Sequence, residues 1–188
     1  MPAGHAARRR QVPLVEDGGR RDAFVARTVV RAEFALAGKV YDALLSAGSG
    51  IAASSINLVS GERCGFSHGA PTERALRRGD NVNIEFGATY RRYTATIGRQ
   101  FCLGNPERRM LDIYNVVRRA CDACIAAIGD GVPATVPHDA AQRVIAEAGM
   151  EAYRVHTTGY GLAPGFPPMW GEPLQMRAGS QYTLKAGW

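Results

Sequence analysis

The segment from His68 to Pro106 constrains this chain more than any other stretch. Within it, residues 81–87 read NVNIEFG, and residues 89–103 continue the alternation of apolar and polar side chains. A period of two sends successive side chains to opposite faces of a strand, so each segment predicts a strand with one face on a core. Gly87-Ala88 between them predicts the turn of an antiparallel pair. A lone hairpin is marginal in water, so its apolar face needs a covering layer.

Helical periodicity on both sides supplies that layer. From residue 22 to about 47, apolar residues recur at steps of three and four, and Gly48 stops the pattern. Residues 55–60 read as a short strand. Asn105-Pro106 starts a helix over 107–128, Asp130-Gly131 breaks it, and Pro137 opens another through Ala148. Residues 151–156 and 181–184 read as strands joined by a long Gly/Pro loop, 159–179. Helix, strand, hairpin, then two helices and further strands predict a duplicated α+β unit. Residues 1–21 read as a polar Arg/Gly-rich tail, and 22–188 as a single domain.

At 188 residues and 46% hydrophobic, the chain can bury one substantial core. Its net charge of +6 owes much to Arg8, Arg9, Arg10, Arg20 and Arg21, a solvated terminal run. No stripe interleaves basic with aromatic residues, so nucleic acid is not an expected partner. No apolar run reaches the roughly 18 residues that span a bilayer. Nor does an apolar segment follow the first arginines as in a secretory signal, so no membrane role and a cytoplasmic location are expected. Cys121 and Cys124 form a C-x-x-C inside a helical pattern, which reads as two small packed hydrophobes on one face.

Two strings then narrow the family. One comprises Glu85, Gly87, Arg92-Tyr93, Ala95, Arg99, Leu103-Gly104 and Pro106. The other is Gly159-Tyr160-Gly161 followed by Gly165-Phe166-Pro167-Pro168-Met169-Trp170-Gly171-Glu172. Together they resemble the creatinase/prolidase/methionine aminopeptidase superfamily (pita-bread, peptidase M24-like), and most closely its metal-free ectoine hydrolase and creatinase-like members. The resemblance implies an α+β pita-bread fold, a curved antiparallel sheet flanked by helices. It covers about residues 29–188 and is incomplete at both ends, so a homo-oligomer such as a dimer, or a complementing partner chain, is expected to complete the site.

By the same resemblance, the positions of the superfamily's paired aspartates hold Glu85 and Thr96. The position of its histidine ligand holds Tyr160, and that of the next glutamate holds Lys185, one of only two lysines. One carboxylate, hydroxyls and an ammonium do not make a dinuclear site, and an ammonium repels a cation. The expectation is therefore no metal and no cofactor.

Without a metal, cleaving an amide or amidine C–N bond needs a group titrating near neutrality, an orienting group and a polarising donor. His68 is the candidate acid/base, the alternative being a cap on the Gly69-Ala70-Pro71 turn. Glu85 would hold a substrate nitrogen or face solvent. Arg99 would clamp a substrate carboxylate or pair with Glu85. Tyr160 would donate to a developing anion, and Glu172 would orient His68 or His156 or bind a substrate nitrogen. Trp170 offers an apolar wall or a cation–π face. Lys185 would neutralise Glu85 in a buried pair. The expected catalytic set is His68, Glu85, Tyr160 and Glu172, and the substrate-binding set is Tyr93, Arg99, His156, Trp170 and Lys185.

The first functional expectation is a metal-independent hydrolase or cyclase acting on a C–N bond of a small amino-acid derivative. A second is a catalytically dead pita-bread module binding a peptide or partner protein. A prolidase-like metallopeptidase is the third.

Overall fold

The alternating residues form the central sheet of the computed structural model, which describes residues 32–52, 54–166 and 169–187. The expected tail, the part of the first helix before residue 32, and Pro167-Pro168 lie outside the described residues. Strands β1 (Asn57–Ser60), β2 (Asn81–Tyr90) and β3 (Tyr93–Cys102) pair antiparallel in the order β1-β2-β3. Leu58 faces Ile84, and Ile84 faces Arg99. One sheet face therefore carries Leu58, Val82 and Ile84, exposed by only 0%, 0% and 6%.

Helix α1 (Glu33–Ser46) covers that face through Ala37, with Leu36 and Val40 at the margin. Burying Leu58 and Val82 contributes about 1.5–3 kcal/mol each. The opposite face is different. There Glu85, Gly87 and Thr89 sit across from Gly98, Thr96 and Thr94.

The turn does not fall at Gly87-Ala88. Pairing continues to Tyr90 and Tyr93, so the turn is Arg91-Arg92, with φ of 50° and 74°. Gly87 is mid-strand, where its missing side chain admits a neighbour instead of a reversal.

The second half holds α2 (Arg108–Ala126), α3 (Thr135–Glu147) and the hairpin β4 (Gly159–Phe166) and β5 (Met169–Met176). Ala120, Cys124 and Ala141 let α2 and α3 approach closely, with Val144, Ile145 and Met176 around them. Cys124 is buried but Cys121 is exposed, so the two thiols do not pack as a pair. All four cysteines are free thiols.

Three expected elements change here. The Gly/Pro loop is the β4–β5 hairpin, with register shifts between Tyr160 and Leu162 and between Leu162 and Phe166. Composition hid it because glycine and proline weaken strand patterns, yet bulges accommodate both. Residues 151–156 contain a short 3₁₀ turn, Glu151–Tyr153, and residues 181–184 contribute one bridge, Thr183 to Pro133. Among the described residues no helix is long and apolar enough to cross a membrane.

Candidate functional site

His68 stands in the connection between β1 and β2, and a buried carboxylate fastens that connection. The Glu33 side chain is 0% exposed at the first turn of α1. It accepts hydrogen bonds from Ser60 Oγ at 2.6 Å, Thr72 N at 2.9 Å and Thr72 Oγ1 at 2.8 Å, and pairs with Arg63. Burial pushes this carboxyl upward, but the bonds from Ser60, Thr72 and Arg63 outweigh it and hold it below the ordinary range. Arg63 also donates to the Ala70 carbonyl at 2.9 Å, while Leu58 N donates to the Gly69 carbonyl at 2.8 Å. The chain is thus pinned on both sides of His68.

A second guanidinium closes the base of the same connection. Arg74 binds Asp80 through two bonds, at 2.6 and 3.0 Å, and reaches Glu62 at 2.9 Å. The Arg74 bonds hold the Asp80 carboxyl below its ordinary value.

The segment carrying His156 is held by other means. Arg154 donates to Gln142 and to Thr158 Oγ1. Thr158 Oγ1 lies 2.8 Å from His138 Nδ1, so its hydroxyl proton goes to that nitrogen. Thr157 Oγ1 donates to the Met176 carbonyl at 3.0 Å, tying the segment to β5. Burial, and then the Arg154 charge, lower the His138 pKa, so the neutral imidazole is favoured.

These two supports bring distant residues together. The rings of His68 and His156 meet edge to face, 5.2 Å between centroids at 62°. The Tyr160 ring lies 6.4 Å from His156. His156 Nδ1–H donates to the Thr157 carbonyl at 3.1 Å, which leaves Nε2 with its lone pair. Trp170 Nε1 donates to the Tyr160 hydroxyl oxygen at 3.1 Å, leaving the hydroxyl proton for another acceptor. Trp170, 6% exposed, lies over Gly87, where a Cβ would meet Cζ3 at 3.0 Å. Glu172 folds back across Gly161, where a Cβ would meet its carboxylate.

Four expected residues do not join this group. Glu85 is half-buried and accepts from Asn57 Nδ2 at 2.9 Å. Arg99 is opposite Ile84, hence on the sheet face away from Glu85, and its guanidinium bonds the Gly98 carbonyl at 2.7 Å. A one-residue step along a strand is enough to rule out the Arg99–Glu85 pair. Tyr93 lies on that same far face at the hairpin end and is 71% exposed. Lys185 is exposed at the surface rather than buried as expected.

The positions that the resemblance links to metal ligands hold Glu85, Thr96, Tyr160 and Lys185, and the indole of Trp170 lies over the strand beside Thr96. Among the described residues no three His, Cys, Asp or Glu side chains cluster as a metal site. The donor set does not fit a divalent cation.

Sequence reasoning missed Glu33, Arg63, Arg74, His138 and Arg154. Only His138 left a local signal: it and Gln142 stand four apart, a polar pair on one side of α3.

The model of metallopeptidase family M24 matches residues 15–187. The Xaa-Pro dipeptidase of Pyrococcus furiosus is 31% identical over 105 residues, covering 56% of this chain and 30% of that protein. The probable dipeptidase PepE of Mycobacterium tuberculosis is 34% identical over 133 residues, 70% of this chain and 35% of its own length. The crystal structure of dipeptidase PepE from Mycobacterium ulcerans superposes with a TM-score of 0.79 at 30% identity, over 89% of this chain and 45% of that one. The chain spans less than half the length of each of these relatives.

Proposed function

Because this chain belongs to metallopeptidase family M24, we propose that it hydrolyses a C–N bond of a small amino-acid derivative by acid–base chemistry of its own side chains. The observation that carries this reading is the approach of His68, from the β1–β2 connection, to His156, whose own segment carries Tyr160 beside it. Dipeptide-sized substrates suit the names of the relatives, and cyclic amidines suit the creatinase-like and ectoine hydrolase-like strings.

The residues divide the work as follows. His156 Nε2, with its tautomer set by the Thr157 carbonyl, takes a proton from the attacking water. Tyr160, its oxygen already occupied by Trp170, keeps its hydroxyl proton and donates a hydrogen bond to the oxyanion that develops at the sp² carbon. His68, carrying a proton, delivers it to the departing nitrogen. Glu172 binds a substrate nitrogen from the β5 side, and the Trp170 indole walls the site. Run backwards, the same transfers close a ring. No step needs a metal, in keeping with the donors at Glu85, Thr96, Tyr160 and Lys185.

The test uses the purified full chain against Xaa-Pro dipeptides, small cyclic amidines and N-acyl diamino acids. His68→Ala and His156→Ala are each expected to lower kcat by about 10²–10⁴ with unchanged thermal stability. Chelator treatment should leave turnover intact. Full activity in both variants would falsify the mechanism. Turnover of Xaa-Pro dipeptides only with added manganese, cobalt or zinc would replace it with the metallopeptidase reading that the relatives' names favour. Ligand binding at His68 without turnover would leave a binding module.

A further inference from the structure

The turn between β2 and β3 is built from the wrong residues for its shape. Positive φ at both central positions is the geometry that Asn-Gly adopts at least cost, because a Cβ crowds the backbone there. This chain places arginine at both, with φ of 50° and 74°. Strain kept at a surface turn points to a use for the side chains it carries.

Those side chains are held in position but not neutralised. The Arg91 guanidinium lies 5.4 Å above the Tyr90 ring, and that of Arg92 lies 4.8 Å above Phe166. The Arg92 carbonyl accepts a bond from Gly165 N at 2.8 Å, which ties the turn to the β4–β5 hairpin. Among the described residues neither guanidinium forms an ion pair.

Around them lies an apolar surface with a hollow in it. A depression of about 430 Å³ is lined by Gly48, Gly50 and Ile51 on one side and by Thr89, Tyr90 and the two arginines on the other. Thr89, 6% exposed, has a hydroxyl buried without a hydrogen-bond partner. Ile51, Tyr90, Phe166 and Met169 are 83%, 68%, 63% and 66% exposed. Arginine and aromatic residues around a small cavity make up the composition of protein-binding hot spots.

We infer that this hairpin end docks an acidic segment of a partner protein. Its carboxylates meet Arg91 and Arg92 in planar, bidentate pairs, and an apolar side chain between them enters the depression. Charge complementarity selects an acidic occupant. The apolar flank extends beyond the hollow, which favours a peptide over a small anion. A nucleic-acid strand would want more than two cations along its path. This inference does not depend on the catalytic reading.

The test replaces the turn with its low-strain equivalent. The double variant Arg91→Asn, Arg92→Gly should keep the fold and raise Tm by roughly 3–6 °C, since the strain is relieved. Fluorescence anisotropy is read on the full chain with a labelled peptide of alternating Glu and Leu. The native chain is expected to bind it, and the double variant to bind at least roughly tenfold more weakly. Equal binding by the two proteins overturns the inference. So does absence of binding to the native chain, equal binding of the Lys-for-Glu peptide, or tighter binding of a labelled single-stranded oligonucleotide.

Discussion

Two half-buried arginine anchors hold the two histidines of the site, and they are built on opposite principles. Arg63 meets the carboxylate of Glu33, with Thr72 and Ser60 completing the set, beside the connection that presents His68. Among the described residues Arg154 meets the neutral partners Gln142 and Thr158, with His138 beyond, next to the segment that presents His156. A compensated charge tolerates burial; an uncompensated one keeps its desolvation cost and imposes its field on its neighbours. The His68 side is therefore the stiffer support, and the His156 side the one that weakens as pH falls below the ordinary histidine range.

Breaking the compensated anchor should give the largest effect. Glu33→Ala leaves Arg63 half-buried without its carboxylate, and unfolding is expected to become easier by about 3–5 kcal/mol. For a chain of this size that lowers Tm by roughly 10 °C, which calorimetry reads directly. A fall below a couple of degrees would mean that the two anchors do not differ as described.

Breaking the other anchor should cost far less and alter a titration instead. Arg154→Met removes an uncompensated guanidinium and keeps its apolar volume, so stability is expected to change by about 1 kcal/mol or less. The Arg154 charge lowers the His138 pKa, second to burial. Its removal should move the His138 titration upward when followed by NMR. No upward movement would remove the electrostatic link between the two residues.

Acid should separate the anchors in order. The His138 pKa is lowered in the fold, so its contribution is present above about 6.5 and is lost as pH falls through the lowered value. Glu33 and Asp80 are also lowered, but from carboxylate values, so the support they give begins to fail only below about 4.5. Hydrogen exchange followed as pH falls from about 6.5 toward about 4.5 should show residues 154–158 losing protection before residues 60–80. The reverse order would break the comparison.

How much of this was legible in the sequence follows the range of the interactions. NVNIEFG reported its strand because alternation is local, and the structure extends that strand to Tyr90. The turn was misplaced because Gly87-Ala88 looks like a reversal, whereas two arginines do not advertise positive φ. His68, His156, Tyr160 and Trp170 were legible as candidates, and the fold brings them together. Glu85, Arg99 and Tyr93 were divided between two faces by a register that the sequence alone leaves open. Glu33 and Arg154 were invisible for another reason: a charged residue on a helix or loop looks solvated until the fold shows its partners, whether remote as for Glu33 or nearer in the chain as for Arg154.

The contact of Trp170 with Gly87 makes two remote positions mutually dependent. An alanine at 87 would press its methyl into the indole and the Ala95 carbonyl, so it should be tolerated only if residue 170 shrinks as well. Phenylalanine at 170 would give up the bond to Tyr160 but restore the room. The pair therefore behaves as a lock and its key cut together: across sequences sharing this hairpin, the identity allowed at one position should be readable from the other.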